Sequence, residues 1–583
     1  MKHLRVLGKY FWKYRVRLGA GILFVMLSNY FNVLSPQLMR FIINYVEQTL
    51  TSGAAATADT GAYDFLVRRV VLWLVQKKEV AQVVVLSGIL ILVLALLRGF
   101  FMFLMRQTII VMSRYIEYDQ KNEVFNQYQR LDSLFFKRNT TGDLMNRIAE
   151  DVSRVRIFTG PAIMYIVNLV SVIGLSVFFM LQSSVQLTLY VLIPLPILAI
   201  VIYYVNQNIH RRSERIQEAL SDLTTNAQES YSGIRVIKSF VQEDAMLSFF
   251  RNNSESYRKN AVGLARVEAV YYPSIMLLIG LSTLLTIMIG GLYYINHVNN
   301  ITLGTIVEFI VYVNLLTFPV SAIGLTASMI QRAAASQKRL NEFLTITPEI
   351  VDPPVARDPE ISGAVVWKDV TFIYPDTGIT ALKGFNLNIR KGEKIAITGK
   401  TGSGKTTIAQ LLLRMYDVQE GSIEFDGMDI REFRLSTLRN QISYVPQDIF
   451  LFSDTIANNI RFGSPRATIE EVKAAAVLAG IDAEIEKFSN GYETLVGERG
   501  VMLSGGQKQR ISIARALIKD PGLIIFDDCL SAVDARTEKE IMGRLNQYLA
   551  GKTALIITHR VFSLLAFDRI IVLSEGQIAE EGT

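Results

Sequence analysis

Six apolar stretches before Ile330 are each long enough to cross a lipid bilayer, which takes about 20 helical residues. They run roughly Leu18–Val46, Val80–Met105, Pro161–Leu181, Leu187–Asn206, Val270–Ile295 and Leu303–Ile330. A chain in lipid must satisfy its backbone hydrogen bonds internally, so these stretches predict an α-helical transmembrane domain of six helices. Composition agrees. Half of the 583 residues are hydrophobic, and the net charge is only +7.

The connections predict orientation. Arg114, Lys121, Arg130, Lys137, Arg138, Arg147, Arg154 and Arg156 separate the second and third stretches. A second basic run, from Arg211 to Arg266, separates the fourth and fifth, while residues 182–186 and 296–302 carry no Lys or Arg. The positive-inside rule then places both long loops and both termini in the cytoplasm. Few Gly or Pro interrupt these loops, so they read as helical extensions about 30 Å long rather than as structureless loops. The basic residues lie beside membrane segments, where anionic lipid explains them better than nucleic acid does. The basic, aromatic N-terminus reads as an amphipathic elbow helix on the cytoplasmic surface.

The connection Glu47–Glu79 falls outside. Its FLVRRVVLWLVQKK stretch is either an interfacial amphipathic helix or a poorly ordered loop with a short helix. Within the membrane stretches, Arg98 and Glu308 fall at different depths and are not expected to pair. Cys529 is the single cysteine, which excludes an internal disulfide and fits a reducing cytosol. The four histidines show no metal-ligand spacing.

A proline-rich segment, residues 345–360, divides the membrane domain (1–344) from residues 361–583, where strand patterns and Gly-rich turns take over. Residues 399–406 read GKTGSGKT after the apolar strand KIAIT. Gly399, Gly402 and Gly404 let the backbone curl around phosphates, together with Lys400, Thr401, Ser403 and Thr407. Lys405 supplies the cation and Thr406 a hydroxyl for Mg²⁺. Residues 523–528 read LIIFDD, a buried strand ending in carboxylates. Asp527 is placed to orient the Mg²⁺ ligand shell, and Asp528 stands where a water-polarising base is wanted. These motifs predict an α/β P-loop ATPase domain using ATP and Mg²⁺.

With LSGGQ at 503–507, the chain resembles a half-transporter of the ABC exporter superfamily over essentially its whole length. The resemblance implies further roles. Tyr374 in FIYP matches the adenine-stacking aromatic, and Gln447 in YVPQD matches the Q-loop glutamine near Mg²⁺. GERG at 497–500 matches the loop facing the membrane part. Ser504, Gly505, Gly506 and Gln507 form the signature, SAVD at 531–534 the D-loop, and His559 the switch histidine. Residues 135–152 and 229–243 resemble the two coupling-helix regions, with turns expected at Gly142 and Gly233. In such proteins two ATPase domains sandwich two ATPs, each site taking LSGGQ from the other chain.

Asp528 departs from the family's usual glutamate. The string DDCLSAVD resembles the degenerate half of bacterial heterodimeric multidrug exporters. The implied function is export of hydrophobic or amphipathic small molecules or lipids across the bacterial inner membrane. The expected partner is a second ABC half-transporter. The alternatives are a homodimeric exporter with slow turnover, and a nucleotide-gated channel or regulatory subunit.

Overall fold

A computed structural model describes residues 2–52, 63–77, 79–530, 535–559 and 567–583. The chain forms two compact units. One comprises Met1–Gln129 and Gly142–Thr345, the other Arg130–Thr141 and Ile346–Thr583.

The first unit is helical. Among the described residues, five helical runs are long and apolar enough to cross a membrane: Arg15–Thr51, Val80–Arg130, Thr141–Ser183, Glu243–Ile295 and Leu303–Leu344. All exceed the length of one crossing. The 53 residues of Glu243–Ile295 extend about 80 Å at 1.5 Å per residue. The stretch Leu187–Asn206 is divided between the helices Val185–Leu192 and Pro194–Ser232. Proline lacks the N–H that would continue the hydrogen-bond ladder, so the second helix starts on Pro194. Neither piece alone carries an uninterrupted apolar run of membrane length.

The connection between the first two membrane stretches contains a helix, Phe65–Val75, capped by the Asp64 carboxylate, which accepts from the Leu66 N–H at 2.9 Å. It buries Val67, Val71 and Leu74 and exposes Phe65, Leu66, Leu72 and Trp73. At the N-terminus, Leu4, Leu7 and Tyr10 are buried while Trp12 is exposed, an amphipathic arrangement.

Glu308 is buried, and it does have a partner. Arg40 Nη1 lies 3.3 Å from Glu308 Oε2, with the two side chains 6% and 1% exposed. Ser183 Oγ accepts from Arg40 Nη1 at 2.8 Å and donates to Glu308 Oε2 at 3.3 Å. Three helices, Arg15–Ser52, Ile163–Ser183 and Leu303–Leu344, are thereby joined through polar groups. Arg98 is exposed. The partner of Glu308 is thus a residue 268 positions away that hydropathy alone does not single out.

The second unit contains two sheets. Strands β1 (Val365–Ile373), β2 (Thr380–Ile389), β4 (Glu420–Phe425) and β5 (Met428–Asp429) form an antiparallel sheet in the order β2-β1-β4-β5. Strands β3 (Lys394–Gly399), β6 (Ile442–Val445), β7 (Leu523–Asp527), β8 (Thr553–Ile557), β9 (Arg569–Ser574) and β10 (Gln577–Gly582) form the other, in the order β10-β9-β3-β8-β7-β6. It is parallel except for the β9–β10 pair. Ile525, Leu555 and Ile557 face one apolar core; Ile524, Phe526 and Ile556 face another. Burial on both faces is why these strands read as unbroken apolar runs.

Residues 130–141 belong to this unit through direct contacts. Leu134, on the short helix Ser133–Arg138, is buried in the first core. The Asp132 carboxylate caps that helix by accepting from the Phe135 N–H at 3.2 Å, and it also accepts from the Glu349 N–H at 2.7 Å. Where a turn is expected, Gly142 is the second residue of the helix Thr141–Asn146 and takes no positive φ, so its backbone freedom is not used there. Gly233 does separate two helices, Pro194–Ser232 and Ile234–Ser239.

Removing one member of a buried ion pair strands the other charge, at about 3–5 kcal/mol. Glu308→Ala is therefore expected to lower the thermal midpoint of the purified protein markedly. Arg40→Met combined with Glu308→Leu is expected to recover most of the loss. Differential scanning fluorimetry checks both; equal midpoints for Glu308→Ala and wild type would show that the pair contributes nothing.

Candidate functional site

The parallel sheet brings the predicted residues together. β3, β8, β7 and β6 are consecutive neighbours, and all four run in one direction. Their carboxyl ends therefore form one edge, the usual place for a ligand in an open α/β sheet. The loop 399–404 follows β3, Gln447 follows β6, Asp527 ends β7 with Asp528 next, and His559 follows β8.

The phosphate loop has the backbone that its glycines predict. Gly404 sits at φ +99°, and a Cβ there would lie 2.4 Å from the Ala381 carbonyl oxygen. A Cβ on Gly399 would meet the Leu573 carbonyl oxygen at 2.2 Å. Neither position tolerates a side chain. The helix Lys405–Leu412 starts directly after the loop, so its free N–H groups point toward the curled backbone. Lys405 Nζ donates to the carbonyls of Gly399 at 2.9 Å and Lys400 at 2.8 Å, holding the ammonium inside the loop. Burial pushes the Lys405 ammonium below its ordinary range, and the Asp527 and Asp528 charges partly oppose this.

Asp527 is 1% exposed. Its Oδ1 accepts from Thr406 Oγ1 at 3.3 Å and its Oδ2 from the Tyr444 hydroxyl at 3.1 Å. Burial raises its carboxyl above the usual range, and the two hydroxyl donors oppose the shift. Tyr444 is a residue that motif reading passes over; the signal available was only its place three positions before Gln447. Asp528 adopts φ +45°, in the left-handed region, and its N–H donates to the Ile557 carbonyl at 2.8 Å. Aspartate enters this region more readily than most side chains. Gln447 and His559 are exposed at the sheet edge.

Tyr374 lies beside the phosphate loop. Its hydroxyl is 2.9 Å from Thr407 Oγ1 and donates to Gln410 Oε1 at 3.1 Å. Phe372 and Tyr416 meet the ring at steep angles. Lys137 Nζ sits 4.5 Å from the ring centroid and 2.9 Å from Asp376 Oδ2. The segment 130–141 thus touches the residue predicted to stack on a base.

The signature forms a helix N-terminus. Ser504 Oγ accepts from the Gln507 N–H at 3.2 Å, and Gln507 Oε1 accepts from the Ser504 N–H at 2.9 Å. This capping box starts the helix Gly505–Leu517. Ser504 and Gly505 are exposed, so the helix presents backbone N–H groups outward, where an anion is favoured. Glu484 holds the helix from behind through two hydrogen bonds from Arg510, at 2.6 and 3.0 Å, and one from Gln507 Nε2 at 3.0 Å. In GERG, Gly497 has φ +69° and Glu498–Gly500 makes a single helical turn. The SAVD motif at 531–534 lies outside the described residues.

Together these groups can surround a polyphosphate with N–H donors and a lysine, with a hydroxyl–carboxylate pair beside it. Comparison with known proteins agrees. Residues 18–320 match the ABC transporter transmembrane region, and residues 382–531 match the ABC transporter family. The chain is 41% identical over 453 residues, 77% of each protein, to the probable multidrug resistance ABC transporter ATP-binding/permease protein YheI of Bacillus subtilis. It is 38% identical to the multidrug resistance-like ATP-binding protein MdlA of Escherichia coli, over 79% of this chain and 78% of that one. It is 37% identical to the ATP-dependent lipid A-core flippase of Chromohalobacter salexigens, over 79% of each. Its fold is similar to the structure of a bacterial Atm1-family ABC exporter with ATP bound, with a TM-score of 0.75 and 26% identity over 98% of this chain and 95% of that one. A helical membrane part and an ATP-binding ATPase part thus lie in one polypeptide, and the chain belongs to the ABC transporter family as an exporter half-transporter.

Proposed function

We propose that this chain is the slow-turnover half of a heterodimeric ABC exporter that moves amphipathic compounds or lipids out across the bacterial inner membrane. The observation that carries the reading is Asp528 in a chain whose signature helix is intact. One methylene shorter than glutamate, its carboxylate ends about 1.5 Å nearer the backbone. Misplacement on the 1 Å scale can cost roughly 100-fold in rate. This chain's own site then holds ATP and turns it over poorly, while Ser504–Gln507 complete a partner site that keeps glutamate. The multidrug and lipid A-core names of the relatives support an amphipathic cargo.

In this reading residues 1–344 form the membrane domain, 345–360 the linker and 361–583 the ATPase. Six crossings are intended, the fourth made by Val185–Leu192 and the start of Pro194–Ser232, with the termini and the ATPase cytoplasmic. Lys405 and the loop 399–404 bind phosphates, Thr407 supports them, and Tyr374 stacks on adenine. His559 holds the terminal phosphate. Mg²⁺ fits the donors here. The Thr406 hydroxyl and a deeply buried carboxylate lie 3.3 Å apart, and a cation would offset the cost of burying that charge. Thr406, Gln447 and Asp527 would hold the ion, which supplies charge neutralisation for the phosphates. The helix Ser133–Arg138 transmits nucleotide occupancy through its contacts at Tyr374 and Asp376. The helix Ile234–Ser239 and the two residues after it offer exposed Ile234, Val236, Phe240 and Val241 to the partner's ATPase.

Lys405→Ala removes the phosphate cation and is expected to abolish most labelling of this chain by a photoreactive ATP analogue. Unchanged labelling would contradict the loop assignment. Asp528→Glu is expected to raise the ATPase rate of the assembled complex severalfold; a flat rate with ATP still bound would mean that other residues also limit the site. The chain alone in vesicles is expected to hydrolyse ATP slowly, and a glutamate-bearing partner to restore both hydrolysis and dye or lipid transport. Brisk ATP-driven transport by the chain as a homodimer would overturn the heterodimer.

A further inference from the structure

Parallel pairing places Tyr444 of β6 opposite Ile525 of β7. Side chains two apart on a strand share a face, so Tyr444, Ile525 and Asp527 point to one side of the sheet. Packing bears this out. Ile525 and Tyr444 pack with the first core, whereas Val445 and Phe526 lie in the second. The phenol therefore reaches Asp527 diagonally, two residues along the neighbouring strand, and donates to Oδ2 at 3.1 Å. Thr406 holds Oδ1 at 3.3 Å. Terminal carboxylate torsions are broad and roughly two-fold, so a single donor does not fix the group. Two donors on opposite oxygens, from two different elements, do.

We infer that Tyr444 is a positioning residue for the metal at this chain's own nucleotide site, setting the rotamer of Asp527 through its hydroxyl. The inference rests on the reading of Thr406 and Asp527 as the magnesium-holding pair. A hydrocarbon at position 444 would leave Oδ2 buried without that donor and free the carboxylate to turn. Tyr444 also precedes Gln447 by three residues at the same strand end. Displacement of the Gln447 loop consequently acts on the metal carboxylate through one hydrogen bond. For a site that retains nucleotide rather than consuming it, firm retention of the ion matters more than the speed of a chemical step.

The test uses the assembled transporter with Tyr444→Phe, which keeps the ring and removes only the hydroxyl. Labelling of this chain by a photoreactive ATP analogue is titrated with Mg²⁺ and compared with labelling in EDTA. Loss of a partner behind a metal ligand typically lowers metal affinity about 10–100-fold. The half-saturating Mg²⁺ concentration is expected to rise about tenfold, with labelling in EDTA unchanged and the unfolding midpoint within a degree or so of wild type. A Mg²⁺ titration identical to wild type overturns the inference, and so does an equal loss of labelling with and without Mg²⁺, which a merely structural role would give. Mg²⁺-independent labelling of the unsubstituted complex would instead overturn the assignment of Thr406 and Asp527 beneath it.

Discussion

The parallel pairing of β3, β8, β7 and β6 is the constraint on which the ATPase unit depends. Ile397 pairs with Ile557, and Asp527 pairs with that same Ile557. One register therefore sets three motif ends against each other: the phosphate loop after β3, the carboxylates after β7 and the histidine after β8. A slip of one residue would turn Asp527 to the opposite face, away from Thr406. Burial of both faces specifies the register, since any slip would also exchange the two apolar cores.

In the membrane unit the comparable constraint is electrostatic. Leu, Val and Ile pack equally well against lipid and against one another, so apolar contact alone specifies helix neighbours weakly. Arg40, Ser183 and Glu308 have no such freedom. Each buried charge needs the other, and the hydroxyl between them bridges both. Three helices distant in sequence thereby acquire fixed neighbours.

Legibility in the sequence follows the range of the interactions. The loop 399–404, the LSGGQ signature at 503–507 and the strand ending in Asp527 are local, and each was readable from residue types at fixed spacing. The helix at Val80 starts where hydropathy predicts, and the helical run continues past Met105 to Arg130 along the basic extension. What escaped reading depends on distant partners. Arg40 is one polar residue in an apolar helix until Glu308 lies beside it. Tyr444 reads as an ordinary strand aromatic until strand register sets it diagonal to Asp527. Residues 135–152 resemble a coupling segment in sequence, yet Leu134 in the ATPase core and Lys137 at the Tyr374 ring depend on partners more than 200 positions away. Gly142 misled because a glycine marks a turn only where the chain requires one.

Position 528 draws the two halves of the functional argument together. Its left-handed backbone comes where the chain leaves β7, with the 528 N–H still bound to Ile557. Aspartate is at home in that conformation, and glutamate pays more steric cost there. A longer carboxylate thus gains reach only against a local backbone preference. The neighbouring groups concern retention instead: Lys405 held inside its loop, Asp527 held at both oxygens, Tyr374 hydrogen-bonded to the helix behind the phosphate loop. On the proposed reading, the groups assigned to binding are held by hydrogen bonds while the carboxylate assigned to hydrolysis is short. At the exposed signature helix the balance would be reversed, with the N–H groups of Gly505 and its neighbours serving the partner's site in the proposed assembly. In the heterodimer proposed above, that division of labour within one chain would be the physical reason for a second, glutamate-bearing chain opposite it.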